Sequence, residues 1–453
     1  MLGVTTNISD IVGDRMDVSF RMGLKQILHS VGNISYKSLG EIANFSCENW
    51  DQKSVFDDTF PYIEIGSIDT TTGVINDINH IPVKEAPSRA KRIVRKNDIL
   101  ISTTRPNRGA ICLYEADTIS IASTGFSIIR EIDSSVLRDY LFIVLRLPFS
   151  LEQMIRRSSG GNYPAIIESE LMKILIPIPS MKEQQKVVDI YIQAQVERTR
   201  RHQTAKQQLE SIDDYLLDVL HVDKNQATIC SNGYAKNIST ILGNRLDVSF
   251  YKNRFELISK KYSNVPLSSV AHIDPSINFS GYDANTPISF IPMECVDEIY
   301  GEIHVIKSTT ILQSKGYTKF EEGDLLWAKI TPCMQNGKSA IVKNLENGIG
   351  CGSTEFFVLR PRNNNVLIDY IYLLLRHHEV LKAAQSSFGG SAGQQRVSSQ
   401  YLKSIIIPIP DYSIQKDIVA KIYNMKSQAK QLQKEGDKLL EEAKQKIEKL
   451  IFE

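Results

Sequence analysis

The octapeptide GDRMDVSF occupies Gly13–Phe20, and a near copy, GNRLDVSF, occupies Gly243–Phe250, 230 positions on. Six of its eight residues are identical, and the exchanges of Asp for Asn and Met for Leu are mild. Five further anchors recur in the same order: IGSID (Ile65–Asp69) with MECVD (Met293–Asp297), NDIL (Asn97–Leu100) with GDLL (Gly323–Leu326), STGF (Ser123–Phe126) with STEF (Ser353–Phe356), DYLFIVLR (Asp139–Arg146) with DYIYLLLR (Asp369–Arg376), and IPIP (Ile176–Pro179) with IPIP (Ile407–Pro410). The offsets stay between 226 and 231 in a chain of 453 residues. Repeats of 20–50 residues imply solenoids. A period of half the chain implies one unit written twice, head to tail, and so an internal pseudo-two-fold repeat.

Each copy has the same plan. After the octapeptide comes a short amphipathic stretch (Phe20, Leu24, Ile27, Leu28, Val31) and then a mixed segment, Ser35–Pro179 or Asn264–Pro410. Runs such as DILIST and ISIAST alternate with Gly, Asn and Pro breaks and a few helices, DYLFIVLR among them. IPIP ends the segment as an extended strand whose prolines delay the next helix. Lys182–Leu220 then contains no Gly and no Pro, with Val187, Ile190, Ala194, Ala205, Leu209, Ile212, Leu216 and Val219 stepping by threes and fours. Gln415–Ile451 repeats this with Ile418, Ile422, Met425, Ala429, Leu432, Leu439, Ala443, Ile447 and Leu450, interrupted only by Gly436. Each reads as a helix with coiled-coil spacing, roughly 55–60 Å long. Neither can bury its stripe alone, and the symmetry makes the two antiparallel. The polar stretch Glu197–Thr204 should therefore face solvent or be covered by another protein.

The expected fold is α/β (α+β), with two globular domains separated by a long antiparallel two-helix coiled coil. The boundaries read as an N-terminal segment 1–32, globular domain 33–180, spacer helix 181–221, linker 222–262 carrying the repeated octapeptide, globular domain 263–411 and spacer helix 412–453.

Few chemistries survive inspection. Net charge is only +1, so nucleic-acid binding must rest on local patches. The six cysteines form no CxxC pair and no zinc-ligand spacing, which fits reduced thiols in a cytoplasmic protein. No apolar run nears the ~20 residues of a membrane span, and the N-terminus lacks signal-peptide features. Gly337-Lys338-Ser339 fails as a phosphate loop because Pro332 stands where the motif needs glycine. FGGSAG (Phe388–Gly393) does not open a helix after a strand, and NYPA (Asn162–Ala165) is only a partial methyltransferase-like signature. The eight histidines are scattered, and no catalytic triad or metal set stands out. None of these near-motifs is spelled alike in both copies.

What both copies share is a pair of polar loops. In the first, Lys84–Gly109 holds Lys84, Arg89, Lys91, Arg92, Arg95, Lys96, Arg105 and Arg108 against Glu85 and Asp98, with Asn107 beside the arginines. In the second, Lys329, Thr331, Gln335, Asn336 and Lys338 follow a strand. A further loop precedes each IPIP: Ser158–Ile166, with Asn162 and Tyr163, and Ser386–Arg396, with Gln394, Gln395 and Arg396. Such residues bond phosphates and base edges, although a solvated basic face and a flexible turn have the same composition. Framework agreement with loop divergence is how one scaffold reads two ligands, and two half-sites on DNA fit that plan.

The duplicated octapeptide, NDILISTTRP with GDLLWAKITP, and IPIPSMKEQQKVV with IPIPDYSIQKDIV make the whole chain resemble a type I restriction–modification specificity subunit. The resemblance implies that each globular domain recognises one half of a bipartite DNA target. It implies that the helix pair sets the spacer and docks two methylation subunits, which restriction subunits join. It also implies a non-catalytic chain that binds no metal or cofactor, with S-adenosylmethionine, ATP and Mg carried by the partners. The octapeptides are expected to act as joints or subunit contacts through Arg15, Asp17, Phe20, Arg245, Asp247 and Phe250.

Overall fold

The β-rich runs pair as short strands, and the two copies pair them alike. The computed structural model describes residues 34–52, 56–223, 255–279, 281–388 and 395–452. The octapeptides, with Arg15, Asp17, Phe20, Arg245, Asp247 and Phe250, lie outside these residues, as does Gln394. The chain divides into one unit of the described residues up to His202 together with those from Gln433, and another of Gln203–Leu432.

In the first unit one four-stranded sheet has the order Ala43–Phe45, Phe126–Ile132, Ile99–Ser102, Ile111–Leu113, all antiparallel. The other has Asn79–Pro82, Thr59–Ile63, Ser120–Ser123, Ala90–Val94, with its central pair parallel. A two-stranded ribbon joins Ser35–Ser38 to Leu175–Ile178. The second unit repeats this: Ala271–Ile273, Phe356–Pro361, Leu325–Ala328, Ser339–Ile341; then Lys307–Thr310, Pro287–Ile291, Ile349–Gly352, Thr318–Glu321; and the ribbon Ser263–Pro266 with Ile406–Ile409. Ile99–Ser102 and Leu325–Ala328 are buried throughout, as strands covered on both faces must be. The hydrophobic helices Arg138–Leu145 and Ile368–Leu375 pack into the main core of their units.

Each IPIP is the returning strand of the ribbon. Its prolines give up N–H donors that an edge strand does not need. Their carbonyls remain acceptors, and the buried hydroxyls of Tyr140 and Tyr370 donate to Pro177 O and Pro408 O, both at 2.8 Å. A fully buried glutamine then ties ribbon, loop and spacer helix together. The Gln184 amide accepts from Leu137 N and donates to Ser135 O and Pro179 O. Gln415 does the same with Leu367, Asn365 and Pro410.

The helices run Met181–Val219 and Tyr412–Phe452. A capping box starts the first, with Ser180 N and Oγ donating to Glu183 at 3.0 and 2.7 Å. In the first unit Val187, Val188 and Tyr191 are buried with Leu440, Ile447 and Ile451. In the second, Ile212, Leu216 and Leu217 are buried with Ile418 and Ile422. Within the first unit Arg198 pairs with Asp437 at 2.7 Å and Arg201 with Glu435, so the segments run antiparallel. The polar stretch at Glu197–Thr204 divides: Thr199, Arg200, Gln203 and Thr204 are exposed to solvent, as its pattern implies. Arg198, Arg201 and His202 turn instead to Asp437 and Glu435 on the opposite helix. Gly436 interrupts no helix. A Cβ there would stand 3.2 Å from His202 Cδ2 and 3.4 Å from the Arg198 Cα, so its missing side chain lets the backbones approach.

Candidate nucleic-acid interface

In each unit the structure brings the two divergent loops side by side. In the first, Thr104 and Ala165 form an antiparallel bridge, Arg105 N donates to Pro164 O at 2.7 Å, and Ile166 N donates to Thr103 O at 2.9 Å. In the second, Ile330 bridges Arg396, Thr331 N donates to Gln395 O at 3.0 Å, and Val397 N donates to Lys329 O at 3.0 Å. The strands feeding these loops are buried, so the loops are held from below while their tips remain open.

Arg105 sits at the turn with φ 48°, a left-handed conformation between the bridge at Thr104 and the hydrogen bond from Arg108 N to Arg105 O. Its guanidinium carbon lies 4.2 Å from the centroid of the Tyr163 ring, which is 69% exposed. Pro106 is buried, and the 3-10 turn Pro106–Arg108 lifts Asn107 and Arg108 into solvent. Gly109 follows with φ 66°, where a Cβ would touch Leu151. Asn162 and Tyr163 are exposed on the facing loop. Arg105, Asn107, Arg108, Asn162 and Tyr163 therefore belong to one loop pair.

The rest of the basic stretch splits away. Lys91 and Arg92 lie on the strand Ala90–Val94, Lys91 exposed and Arg92 half-buried. The chain beside them reaches the loop pair through a turn: Thr124 N donates to Arg89 O, and Thr103 N to Gly125 O, both at 2.8 Å. Arg95 is paired with Glu48 and Lys96 with Asp117, both at 2.6 Å. The excess of cations counted along the sequence is therefore not one continuous free patch.

The second unit presents a different chemistry. Gln335 and Asn336 are exposed at the tip, and Lys329 is half-buried with its ammonium 5.2 Å over the Phe357 ring. Lys338 turns inward, its side chain 15% exposed, 3.7 Å from Glu298 and donating to Met293 O. Arg396 is held bidentately by Glu355 at 2.8 and 2.9 Å. That hydrogen-bonded guanidinium keeps the Glu355 carboxyl below the usual carboxylate range. Glu355 is a site residue that the loop reading missed. Its signal lay in the repeat: STGF and STEF differ only by Gly125 and Glu355, and both contribute the carbonyl that anchors their loop, to Thr103 N and Lys329 N.

Among the described residues no cluster of His, Cys, Asp or Glu could hold a metal ion. Cys47, Cys112, Cys295, Cys333 and Cys351 are free thiols. No described helix is long and apolar enough to cross a membrane.

A duplicated mixed domain with paired variable loops, each leading into a long helix, defines a class of paired recognition modules on helical supports. The type I restriction modification DNA specificity domain matches residues 33–211 and 260–442, and the chain belongs to that family. It is 34% identical over 208 residues to the type I restriction enzyme EcoEI specificity subunit of Escherichia coli, covering 46% of this chain and 34% of that protein. It is 36% identical over 187 residues to the EcoAI specificity subunit of the same organism, covering 41% and 31%. The alignments thus span about a third of the length of these relatives. A structure described as showing complex assembly and conformational transition of the type I R-M system shares the fold, with TM-score 0.53 and 20% identity over 93% of this chain and 97% of that one.

Proposed function

We propose that this chain is the DNA sequence-specificity subunit of a type I restriction–modification complex, non-catalytic itself, with each unit reading one half of a bipartite target. The observation that carries this reading is a loop pair joined by the same backbone bridge in both units and carrying unlike side chains. Arg105, Asn107, Arg108, Asn162 and Tyr163 serve one half-site. Lys329, Thr331, Gln335, Asn336, Gln395 and Arg396 serve the other, with Gln394 assigned there from sequence. Lys91 and Arg92 flank the first loop pair as phosphate contacts, and Lys338 shapes the second from behind. The helices hold two methylation subunits, and restriction subunits join through them. Those partners carry S-adenosylmethionine, ATP and Mg.

Methylome sequencing of the host with and without this gene tests the proposal. The expected result is loss of one asymmetric, bipartite methylated motif. An unchanged methylome, together with no sequence-selective retention of duplexes by the reconstituted complex, overturns it. Adding two turns to both helices, about 11 Å, is expected to widen the gap in the motif by roughly three base pairs.

A further inference from the structure

We propose that a cavity beside Lys426 in the second unit binds a phosphorylated small molecule with a flat ring, a nucleoside phosphate by chemical class. The cavity has a volume of about 530 Å³, and Tyr300, Tyr372, Tyr423, Lys343, Lys426 and Lys430 contribute to its walls. That volume is within the usual range for small-molecule sites.

Lys426 is only 8% exposed. Its ammonium donates to Tyr372 Oη at 3.1 Å and to Tyr300 O at 3.5 Å, and lies 4.8 Å from the centre of the Tyr372 ring. No carboxylate lies within ion-pair distance of it among the described residues. An ammonium buried without a counter-ion is costly, and an ammonium has three protons to donate. Lys343 is exposed at the rim. Lys430 is paired with Glu302 at 2.6 Å, and Tyr423 is fixed by its hydrogen bond to Asp369 at 2.6 Å. Lys343 and Lys430 bring ammonium groups to the wall and Lys426 an amine able to take up a proton, with Glu302 and Asp297 acting in the opposite sense, while the tyrosine rings offer flat surfaces for stacking.

The internal repeat separates this cluster from what the fold requires. At the same place in the first unit Thr72, Glu115, Phe142, Ile192 and Gln195 stand for Tyr300, Lys343, Tyr372, Tyr423 and Lys426, around a cavity of about 310 Å³. The same backbone folds with Gln in place of the buried lysine and with Glu in place of the rim lysine. The lysines and the larger space are therefore not required by the shared fold, and a dianion joined to a ring answers both. Burial also pushes the Lys426 ammonium down to about 7, so an arriving phosphate would draw a proton onto it.

Equilibrium dialysis of the full chain with labelled AMP, with adenosine and inorganic phosphate as separate arms, tests this. The expected result is one saturable AMP site, weaker binding of either fragment, and at least tenfold loss of AMP affinity in Lys426→Gln, which installs the residue of the first copy. Absence of saturable AMP binding at millimolar concentration overturns the proposal. So does AMP binding that survives Lys426→Gln and disappears in Arg105→Ala. A second measurement on the unaltered chain uses pyridoxal phosphate. The neutral amine adds to its aldehyde, water leaves, and borohydride supplies the hydride that fixes the adduct. Labelling of Lys426 that AMP suppresses supports the site; labelling confined to other lysines, or indifferent to AMP, overturns it.

Discussion

Arg105 stacks its guanidinium on the ring of Tyr163, residues 58 positions apart that the Thr104–Ala165 bridge places face to face. A cation held over a ring is attracted by the ring's negative face, by about 0.5–1 kcal/mol at an exposed site. Each residue thus fixes the other for a third party. Arg105→Ala and Tyr163→Ala are expected to alter only one half of the recognised motif. A base-contacting arginine is worth roughly 1–3 kcal/mol, and the double substitution should cost less than the sum of the singles. Competition binding with half-site variants of the duplex checks this. Equal weakening on all sequences would assign Arg105 to the phosphate backbone.

Glu355 should act as a brake on Arg396. Because the carboxylate holds the guanidinium bidentately, Glu355→Gln frees a cation at the second loop pair. Binding to non-specific duplex is expected to tighten, and the slope of log affinity against log salt to steepen by about 0.9 for one added phosphate contact. Titration of affinity at several salt concentrations reads this, and an unchanged slope shows that Arg396 does not reach DNA.

The two units carry one buried ion pair in equivalent places, Asp98 with Arg130 at 2.9 Å and Asp324 with Arg360 at 2.7 Å. The aspartates are 1% exposed, whereas the arginines are a quarter to a third exposed. Removing one partner of a fully buried pair costs about 3–5 kcal/mol. The partial exposure of the arginines lowers the expectation to about 2–3 kcal/mol for Asp98→Ala or Asp324→Ala. Calorimetry should show that loss as a lowered melting transition in either variant.

Lys426 predicts a pH dependence of stability. The amine is lowered from 10.5 to about 7 by burial and by Arg376, opposed by Asp297 and Glu302. Lys430, Lys343 and the Tyr300, Tyr372 and Tyr423 hydroxyls also face it. Between pH 7 and pH 10.5 the unfolded chain holds the proton that the folded chain has lost. Stability from this group therefore rises with pH across that window, by at most about 1.4 kcal/mol per pH unit. Denaturant unfolding of Lys426→Gln beside the unaltered chain should show the difference narrowing or reversing between pH 7 and pH 9. A constant difference would show that the amine keeps its ordinary proton.

Gly436 faces Arg198 and His202 across the helix pair in the first unit. Alanine there gains about 1 kcal/mol of helix propensity and loses part of it to the 3.4 Å contact with the Arg198 Cα. Leucine has no room, and overpacking costs typically 1–3 kcal/mol. Thermal unfolding should leave Gly436→Ala near neutral and lower the midpoint of Gly436→Leu.

The repeat made the architecture readable before any strand was placed, because matched anchors such as the two IPIP segments show one plan written twice. Helix extent was readable because Lys182–Leu220 holds no breaker. The sheet order was not, since Thr59–Ile63 runs parallel to Ser120–Ser123 across a long separation that periodicity does not encode. Loop composition marked both halves of each candidate site, yet gave no sign that Arg105 meets Tyr163 or that Lys338 points inward. Charge counting erred at Arg95 and Lys96 because their partners, Glu48 and Asp117, lie outside the counted stretch.

The ribbons Ser35–Ser38 with Leu175–Ile178 and Ser263–Pro266 with Ile406–Ile409 have a consequence for inheritance. Each holds the entry and exit of its globular segment in direct register, Ser35 opposite Ile178 and Ser263 opposite Ile409. Everything between those paired ends is a closed excursion from the supporting helix. A foreign excursion of different length could be spliced in at the same ribbon, provided that its last strand carries prolines and its helix begins with the buried glutamine. Exchange at both strands of a ribbon, entry and exit together, would replace one globular segment whole and leave the helices unaltered.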